Sequence, residues 1–188
     1  MDRHGKSFDM VFKCDLEEVS NTVNLCIAQI EECVGEDRMD LGIITRIKWV
    51  VTELVTNAIK HSGVGECLMI IQSNEKELLI EKQEDGHPLT LTEYAIGKSV
   101  SWPIQHDLFP QVFQLYHNGS ESLWVSAPDP SRAVFHVKEL GIPHIPELLA
   151  DTSEHFGLLI LTKASDAFEY RREAGINHFR STFNLKND

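Results

Sequence analysis

The sequence has few basic residues and no long apolar run, and both shortages exclude classes of protein. Lysine and arginine total 17 against 29 acidic residues, which gives a formal net charge of −12. Nucleic-acid binders need basic side chains to neutralise phosphates, so we expect no direct binding to nucleic acid. No apolar stretch has the length of a membrane span, and none follows Met1–Lys6 as in a signal peptide. We therefore expect no membrane association.

Cysteine is also scarce, and its spacing does not suggest a metal site. The chain has no C-x-x-C pair and no tight ligand spacing among its four cysteines, Cys14, Cys26, Cys33 and Cys67. Cys26 and Cys33 lie at helical spacing on an apolar segment, which indicates buried, reduced thiols. Reduced thiols are typical of the cytoplasm, so we expect a cytoplasmic protein.

The remaining composition is that of a globular protein with one core, since 42% of the 188 residues are hydrophobic. Hydrophobic periodicity and turn residues divide the chain into predicted segments. The first is a strand over Phe8–Cys14, followed by a helix that Asp15 caps, with Glu18 completing a capping box, and that Gly35 ends. A second helix runs from about Asp40 to Ser62 and is ended by Gly63 and Gly65. The remaining segments are a hairpin over Cys67–Gln72 and Leu78–Lys82, a helix over Phe156–Ala164, and a closing hairpin over Ala167–Arg172 and Asn177–Leu185.

The long middle of the chain, residues 91–153, is predicted to be a structured insertion in a single domain of residues 1–188. A structureless loop of that length is improbable inside a compact domain. Leu108–His117 is predicted to be helical, and Leu123–Ser126 with Ala133–Lys138 to form a hairpin.

The order of these segments predicts the fold class. Strand, helix, helix, two strands, helix and two strands is not a βαβ repeat. We expect an α+β protein, a two-layer sandwich with the helices on one face of a mixed, largely antiparallel sheet.

One helical segment carries a polar stripe on an otherwise apolar surface. Glu53, Asn57 and His61 are spaced by four residues, and each step turns only about 40° around a helix axis. A carboxylate can take a proton or orient water, an amide oxygen can bind a hard cation, and an imidazole can donate to phosphate. Alone, the same spacing also suits a solvated helix face.

The stripe lies in the run E-L-V-T-N-A-I-K-H-S, which resembles the N-box of the histidine kinase-like ATPase superfamily. Its residues are most similar to the N-box of the bacterial anti-sigma factor serine kinases. This resemblance implies the Bergerat-type ATP-binding fold, with ATP and Mg²⁺ bound. It also implies that Glu53 acts as the catalytic base and that Asn57 binds the Mg²⁺ on the ATP phosphates. His61 falls at the end of the N-box helix, with a less specific role.

A second motif, Glu84-Asp85-Gly86-His87-Pro88, resembles the G1 box of the same family, a D-x-G pattern. The family's aspartate accepts a hydrogen bond from the adenine amino group. Aligned on Gly86, that position holds Glu84, one methylene longer. Asp85 is the alternative acceptor if the loop slips by one residue.

Two further segments resemble the family in part. The run His155-Phe156-Gly157-Leu158 resembles the G2 box, G-L-G-L, whose glycines let backbone amides approach phosphate. Of the two glycines only Gly157, which precedes Leu158, is present, whereas His155 replaces the first glycine. In the tail, Asn177 falls where relatives carry a threonine near the adenine. The insertion occupies the place of the family's ATP lid, which is much shorter.

The resemblance implies an ATP-binding regulatory protein that phosphorylates or sequesters a protein partner, either a sigma factor or an anti-sigma antagonist. The departures at Glu84 and His155 leave open a second interpretation, a degenerate interaction module of the same fold that lacks catalysis. An unrelated α+β protein with a chance N-box is the third. The oligomeric state stays open, with a homodimer among the alternatives.

Overall fold

The computed structural model describes residues 5–35, 38–105, 111–117, 120–139 and 153–185. Within these ranges the chain forms three α-helices and ten strands. In chain order they are β1 (Lys6–Lys13), α1 (Val19–Val34), α2 (Leu41–Asn57), β2 (Glu66–Ser73), β3 (Glu77–Glu84), β4 (Thr90–Thr92), β5 (Ser99–Ser101), β6 (Gln111–His117), β7 (Glu121–Asp129), β8 (Arg132–Glu139), α3 (Ser153–Ala164), β9 (Ala167–Glu173) and β10 (Ile176–Asn184).

Eight strands form one sheet in the order β1-β2-β3-β10-β9-β8-β7-β6, while β4 and β5 pair separately. The helices pack on the sheet, α1 against β1 and β2, and α3 against β8 and β9. The α+β prediction is therefore confirmed. The expectation of a mixed sheet is wrong, because every pairing in the large sheet is antiparallel. Short connections join the strands of the pairs β2–β3, β6–β7, β7–β8 and β9–β10, and strands joined in this way can pair only antiparallel.

The start of α2 and the end of α1 show the expected chemistry. The Asp40 carboxylate accepts from the Ile43 amide at 2.8 Å and so caps α2, while Gly35 ends α1 with a φ of +88°. Asp15 caps a short 3₁₀ turn, but the Glu18 carboxylate accepts from the Asn21 side-chain amide instead of completing the predicted capping box. Among the described residues, no helix has the length and apolarity needed to cross a membrane.

The middle of the chain extends the large sheet through β6, β7 and β8. The hairpin of β7 and β8 confirms its prediction, with Asp129 opposite Arg132 at the turn. The helix predicted over Leu108–His117 is wrong where the chain is described, because Gln111–His117 is strand β6. Phe113 and Leu115 are buried on alternate positions, and β7 supplies the backbone partners that an isolated apolar run lacks. Residues 106–110 lie outside the described ranges.

The face of the sheet opposite the helices carries a charged cluster centred on Glu81. Its carboxylate accepts from His178 at 2.9 Å, from Gln83 at 2.6 Å and from Arg180 at 2.8 Å. Burial alone would raise the pKa of Glu81, but these hydrogen bonds and the Arg180 charge outweigh it and lower the pKa. The ionised form of Glu81 therefore stabilises the folded state.

We expect Glu81→Gln to destabilise the protein at pH 7 by about 1–3 kcal/mol, the usual contribution of hydrogen bonds to a charged group. Because the folded pKa is depressed, the difference from wild type should be complete above the ordinary glutamate pKa and should shrink as pH falls through the folded value. Urea denaturation at pH 7, 5 and 3.5 measures it. Glu77→Gln, at an exposed position of the same strand, is the control. A gap that does not change with pH would contradict the prediction.

Candidate functional site

A cavity of about 330 Å³ opens on the helix side of the sheet. Its floor is formed by β3 and β10, and its walls by the end of α2, the segment after β3, and the first turns of α3. This volume lies in the range of pockets that hold small ligands. The lining residues are Asn57, His61, Ser62, Lys82, Glu84, His87, Pro88, Leu89, Thr90, Leu91, His155, Leu158 and Phe179.

The predicted polar stripe lies at the C-terminal end of α2 and reaches this cavity. The α-helix ends at Asn57 and continues as one π-helical turn over Ala58–Ser62, after which Gly63 leaves it with a φ of +74°. Asn57 and His61 line the cavity. Helix α3 packs on the same stripe, since a Cβ placed on Gly157 would lie 2.7 Å from Glu53 Oε2 and 3.3 Å from Asn57 Oδ1.

Gly157 therefore has a packing role that the sequence motif did not suggest. It is the fifth residue of α3, and its missing side chain lets the helix backbone lie directly against Glu53 and Asn57. Any larger residue would push the two helices apart or displace the carboxylate. The next residue, Leu158, is buried and lines the cavity together with His155.

Glu53 is half-buried in this helix contact. Burial raises the pKa of its carboxyl group, while the positive charge of Lys60 partly opposes the shift. A carboxylate with a raised pKa is a stronger base when it is ionised. The position of Glu53 therefore suits proton transfer better than an exposed helix glutamate would.

Glu84 is the carboxylate of the G1-like motif that faces the cavity. Side chains alternate along β3, and this places Glu84 on the buried face, whereas Asp85 after the strand is exposed. Glu84 Oε2 accepts from the Gly86 amide at 2.6 Å, and Oε1 accepts from the Asn177 side-chain amide at 2.9 Å. The carboxylate is therefore held in place by the chain before any ligand binds.

Asn177 links Glu84 to the segment after β3 through hydrogen bonds. It is fully buried opposite Glu84 in the pairing of β10 with β3. Its amide nitrogen also donates to the backbone carbonyl of His87 at 2.8 Å, and its oxygen accepts from the Tyr170 hydroxyl at 2.7 Å. These bonds leave Asn177 little capacity for a ligand, so its visible role is to position Glu84 and the segment after β3.

Gly86 joins this segment to the end of α2. A Cβ on Gly86 would lie 1.9 Å from the backbone oxygen of Ser62, and that oxygen accepts from the His87 amide at 3.1 Å. No side chain fits at this contact. Gly86 therefore allows the turn to dock against the helix and closes one side of the cavity.

The amide oxygen of Asn57 is a ligand in the cavity that suits Mg²⁺. Among the described residues, no group of three or more histidine, cysteine, aspartate or glutamate side chains could hold a metal ion. Mg²⁺ commonly takes one or two protein oxygens and completes its shell with water and substrate phosphates. The residues present fit a cation that arrives with a phosphate ligand.

The structure brings all eight predicted site residues into this one region. Asn57, His61, Glu84 and Leu158 line the cavity, and Glu53, Gly86, Gly157 and Asn177 contact one of these residues or its backbone neighbours. The sequence reasoning missed Lys82 and Phe179, which also line it. Each lies two residues from a predicted site residue on a strand, so strand alternation was the signal that could have found both.

Comparison of the sequence with protein-family models finds no match, and comparison with curated proteins finds none either. What the site does is therefore inferred from its own residues.

Proposed function

We propose that this protein is an ATP-binding regulatory protein of the histidine kinase-like ATPase type, similar to the anti-sigma factor serine kinases, with the Bergerat-type fold. One observation carries the proposal. The Glu53, Asn57 and His61 stripe, the Glu84–Gly86 turn and the Gly157–Leu158 segment come from distant parts of the chain and meet around one cavity. A chance resemblance of separate motifs gives no reason for such convergence.

Each residue has a chemical role in this proposal. Glu84 accepts a hydrogen bond from the adenine amino group, at the end of the cavity where Asn177 fixes it. Glu53 orients or deprotonates the acceptor hydroxyl, and its raised pKa suits that task. Asn57 supplies a protein oxygen to Mg²⁺, and His61 donates toward the phosphates. When bound, Mg²⁺ neutralises developing charge on the phosphates.

The macromolecular partner in this proposal is a protein, a sigma factor or an anti-sigma antagonist, in the cytoplasm. The net charge of −12 supports attraction to a basic protein surface and opposes direct contact with nucleic acid. Where the site is active, the product is a phosphorylated serine or threonine on that partner.

A second candidate function rests on the contact of α3 with α2. Gly157 packs so closely on Glu53 and Asn57 that the helix backbone occupies the space beside both side chains. In a degenerate module this closed arrangement is permanent, and the fold binds a partner without ATP turnover. Affinity for Mg-ATP discriminates the two, because the degenerate module binds none at millimolar concentration.

Calorimetric titration with Mg-ATP and Mg-GTP tests the proposal directly. We expect tighter binding of ATP, because Glu84 accepts from the adenine amino group, whereas guanine presents a carbonyl oxygen at the same position. Equal affinities, or no binding of ATP at millimolar concentration, would contradict it.

We further expect Glu84→Ala to weaken Mg-ATP binding by roughly 1–3 kcal/mol, the cost of leaving a buried donor without its acceptor. Glu84→Asp keeps the acceptor and should be tolerated. Asp85→Ala should have little effect, because Asp85 is exposed and Glu84 faces the cavity. Titration of the three variants gives the ranking.

The thermal unfolding of each variant must accompany these titrations, because Glu84 also pairs with Lys82 and accepts from Asn177. A folded Glu84→Ala protein with unchanged affinity, beside a large loss in Asp85→Ala, would assign base recognition to Asp85 instead.

A further inference from the structure

Lys82 is a buried lysine at the floor of the cavity. It lies on β3 two residues before Glu84, and its side chain is only 3% exposed. Lysine side chains are rarely buried to this extent, because removing an ammonium group from water is costly. Lys82 nevertheless belongs to the cavity lining. Lys82 is therefore enclosed by protein on most sides and borders the cavity.

The neighbours of this ammonium compensate its charge but lie too far away to accept its hydrogen bonds. The Lys82 nitrogen lies 3.7 Å from Glu84 Oε1 and 4.1 Å from the centroid of the Phe179 ring. An ion pair of that length exceeds a normal hydrogen bond, and an ammonium carries three N–H donors. Burial lowers the pKa of Lys82, and the charge of Glu84 opposes that shift. The donors are available to an acceptor atom in the cavity.

Glu84 complements Lys82 with acceptor capacity. Each carboxylate oxygen can accept two hydrogen bonds. Oε1 accepts from Asn177 and Oε2 from the Gly86 amide, so each oxygen keeps a second position. Lys82 and Glu84 therefore present a donor and an acceptor side by side on the cavity floor. The ligand edge that fits them has an acceptor atom next to a donor.

We propose that Lys82 reads the base, donating to a ring nitrogen of adenine that flanks the 6-amino group while Glu84 accepts from that amino group. The inference rests on the proposed ATP site and deepens it by assigning a second base-recognition residue. Adenine carries an acceptor nitrogen on each side of its amino group, N1 and N7, and either one completes the pair with Glu84.

The pair also predicts that guanine is rejected. With its 6-position at Glu84, guanine sets a carbonyl oxygen against a carboxylate, so two acceptors face each other. On one side of that carbonyl, guanine also turns an N–H toward the ammonium, so two donors face each other. A site built on matched buried polar groups discriminates strongly against a ligand that leaves them unpaired.

The test compares ATP with two analogues that each lack one ring nitrogen, 1-deaza-ATP and 7-deaza-ATP. Binding of each as its magnesium complex is measured by calorimetry on the full chain, in wild type, in Lys82→Met and in the control Lys76→Met. Lys76 is exposed in the turn before β3. We expect wild type and Lys76→Met to lose roughly 10- to 100-fold in affinity for one of the two analogues, as when a charged donor loses its acceptor.

Lys82→Met should bind ATP itself roughly 10- to 100-fold more weakly than wild type does, because the donor is gone. In this variant, the analogue that wild type binds weakly should bind no more weakly than ATP. Wild type that binds ATP and both analogues equally overturns the inference and leaves the ATP site standing. Wild type that binds no ATP overturns the proposed function and the inference together. If Lys82→Met fails to fold, the comparison of analogues on wild type still decides, because it needs no substitution.

Discussion

Replacing Glu53 with glutamine is expected to lower phosphate release from Mg-ATP by about 10²-fold or more while Mg-ATP affinity is largely kept. Glutamine preserves the size of the side chain that packs against Gly157 but cannot take a proton. The loss should therefore appear in kcat and not in Kd. Glu66→Gln, at an exposed position at the start of β2, is the matched control.

The pH dependence of turnover provides an independent check on the same residue. Burial raises the pKa of Glu53, so its basic form accumulates at higher pH than that of an exposed glutamate. Wild-type kcat should rise with pH through that raised pKa, and Glu53→Gln should lose this rise. Wild-type turnover that Glu53→Gln matches at every pH would show that another group serves as the base.

Asn57→Ala should separate cation binding from the proton chemistry. Its amide oxygen is a Mg²⁺ ligand in the proposed site, so affinity for Mg-ATP should fall, while affinity for ATP without magnesium should change little. Equal effects with and without magnesium would instead show that Asn57 contacts the nucleotide itself or supports the contact with Gly157.

Helical periodicity was sufficient to predict the polar stripe. Four-residue spacing places Glu53 and Asn57 on one side of α2, and His61 follows on the π-helical turn that continues the helix. The choice of Glu84 over Asp85 as the inward carboxylate followed from the alignment on Gly86, and strand alternation gives the same answer. Both features depend on local geometry, which a sequence reports directly.

Other features depend on contacts between distant segments and were not predictable. The run Gln111–His117 is apolar enough for a helix or a strand, and only its pairing with β7 makes it a strand. The packing of Gly157 on α2 requires knowing how two helices cross. A lysine in a strand is expected to be exposed, so the residue type of Lys82 argued against the buried position that strand alternation with Glu84 allows.

The largest structural effect is expected from Gly86→Ala. A Cβ there would lie 1.9 Å from the Ser62 oxygen and 2.7 Å from Glu84 Oε2, and the first of these atoms belongs to the backbone. The turn must therefore move away from α2. That movement stretches the bond from the His87 amide to Ser62 and the bond from the Gly86 amide to Glu84.

We expect Gly86→Ala to lower the free energy of unfolding by about 2–5 kcal/mol, combining overpacking strain with a lost hydrogen bond to a carboxylate. Gly65→Ala is the matched control, because Gly65 lies three residues after Ser62 and its Cβ position has no atom within 4 Å. That change should stay within about 1 kcal/mol. Urea denaturation of both variants measures the difference. If Gly86→Ala and Gly65→Ala were equally stable, the turn would rearrange without cost. The close contact with Ser62 would then not be the reason for glycine at position 86.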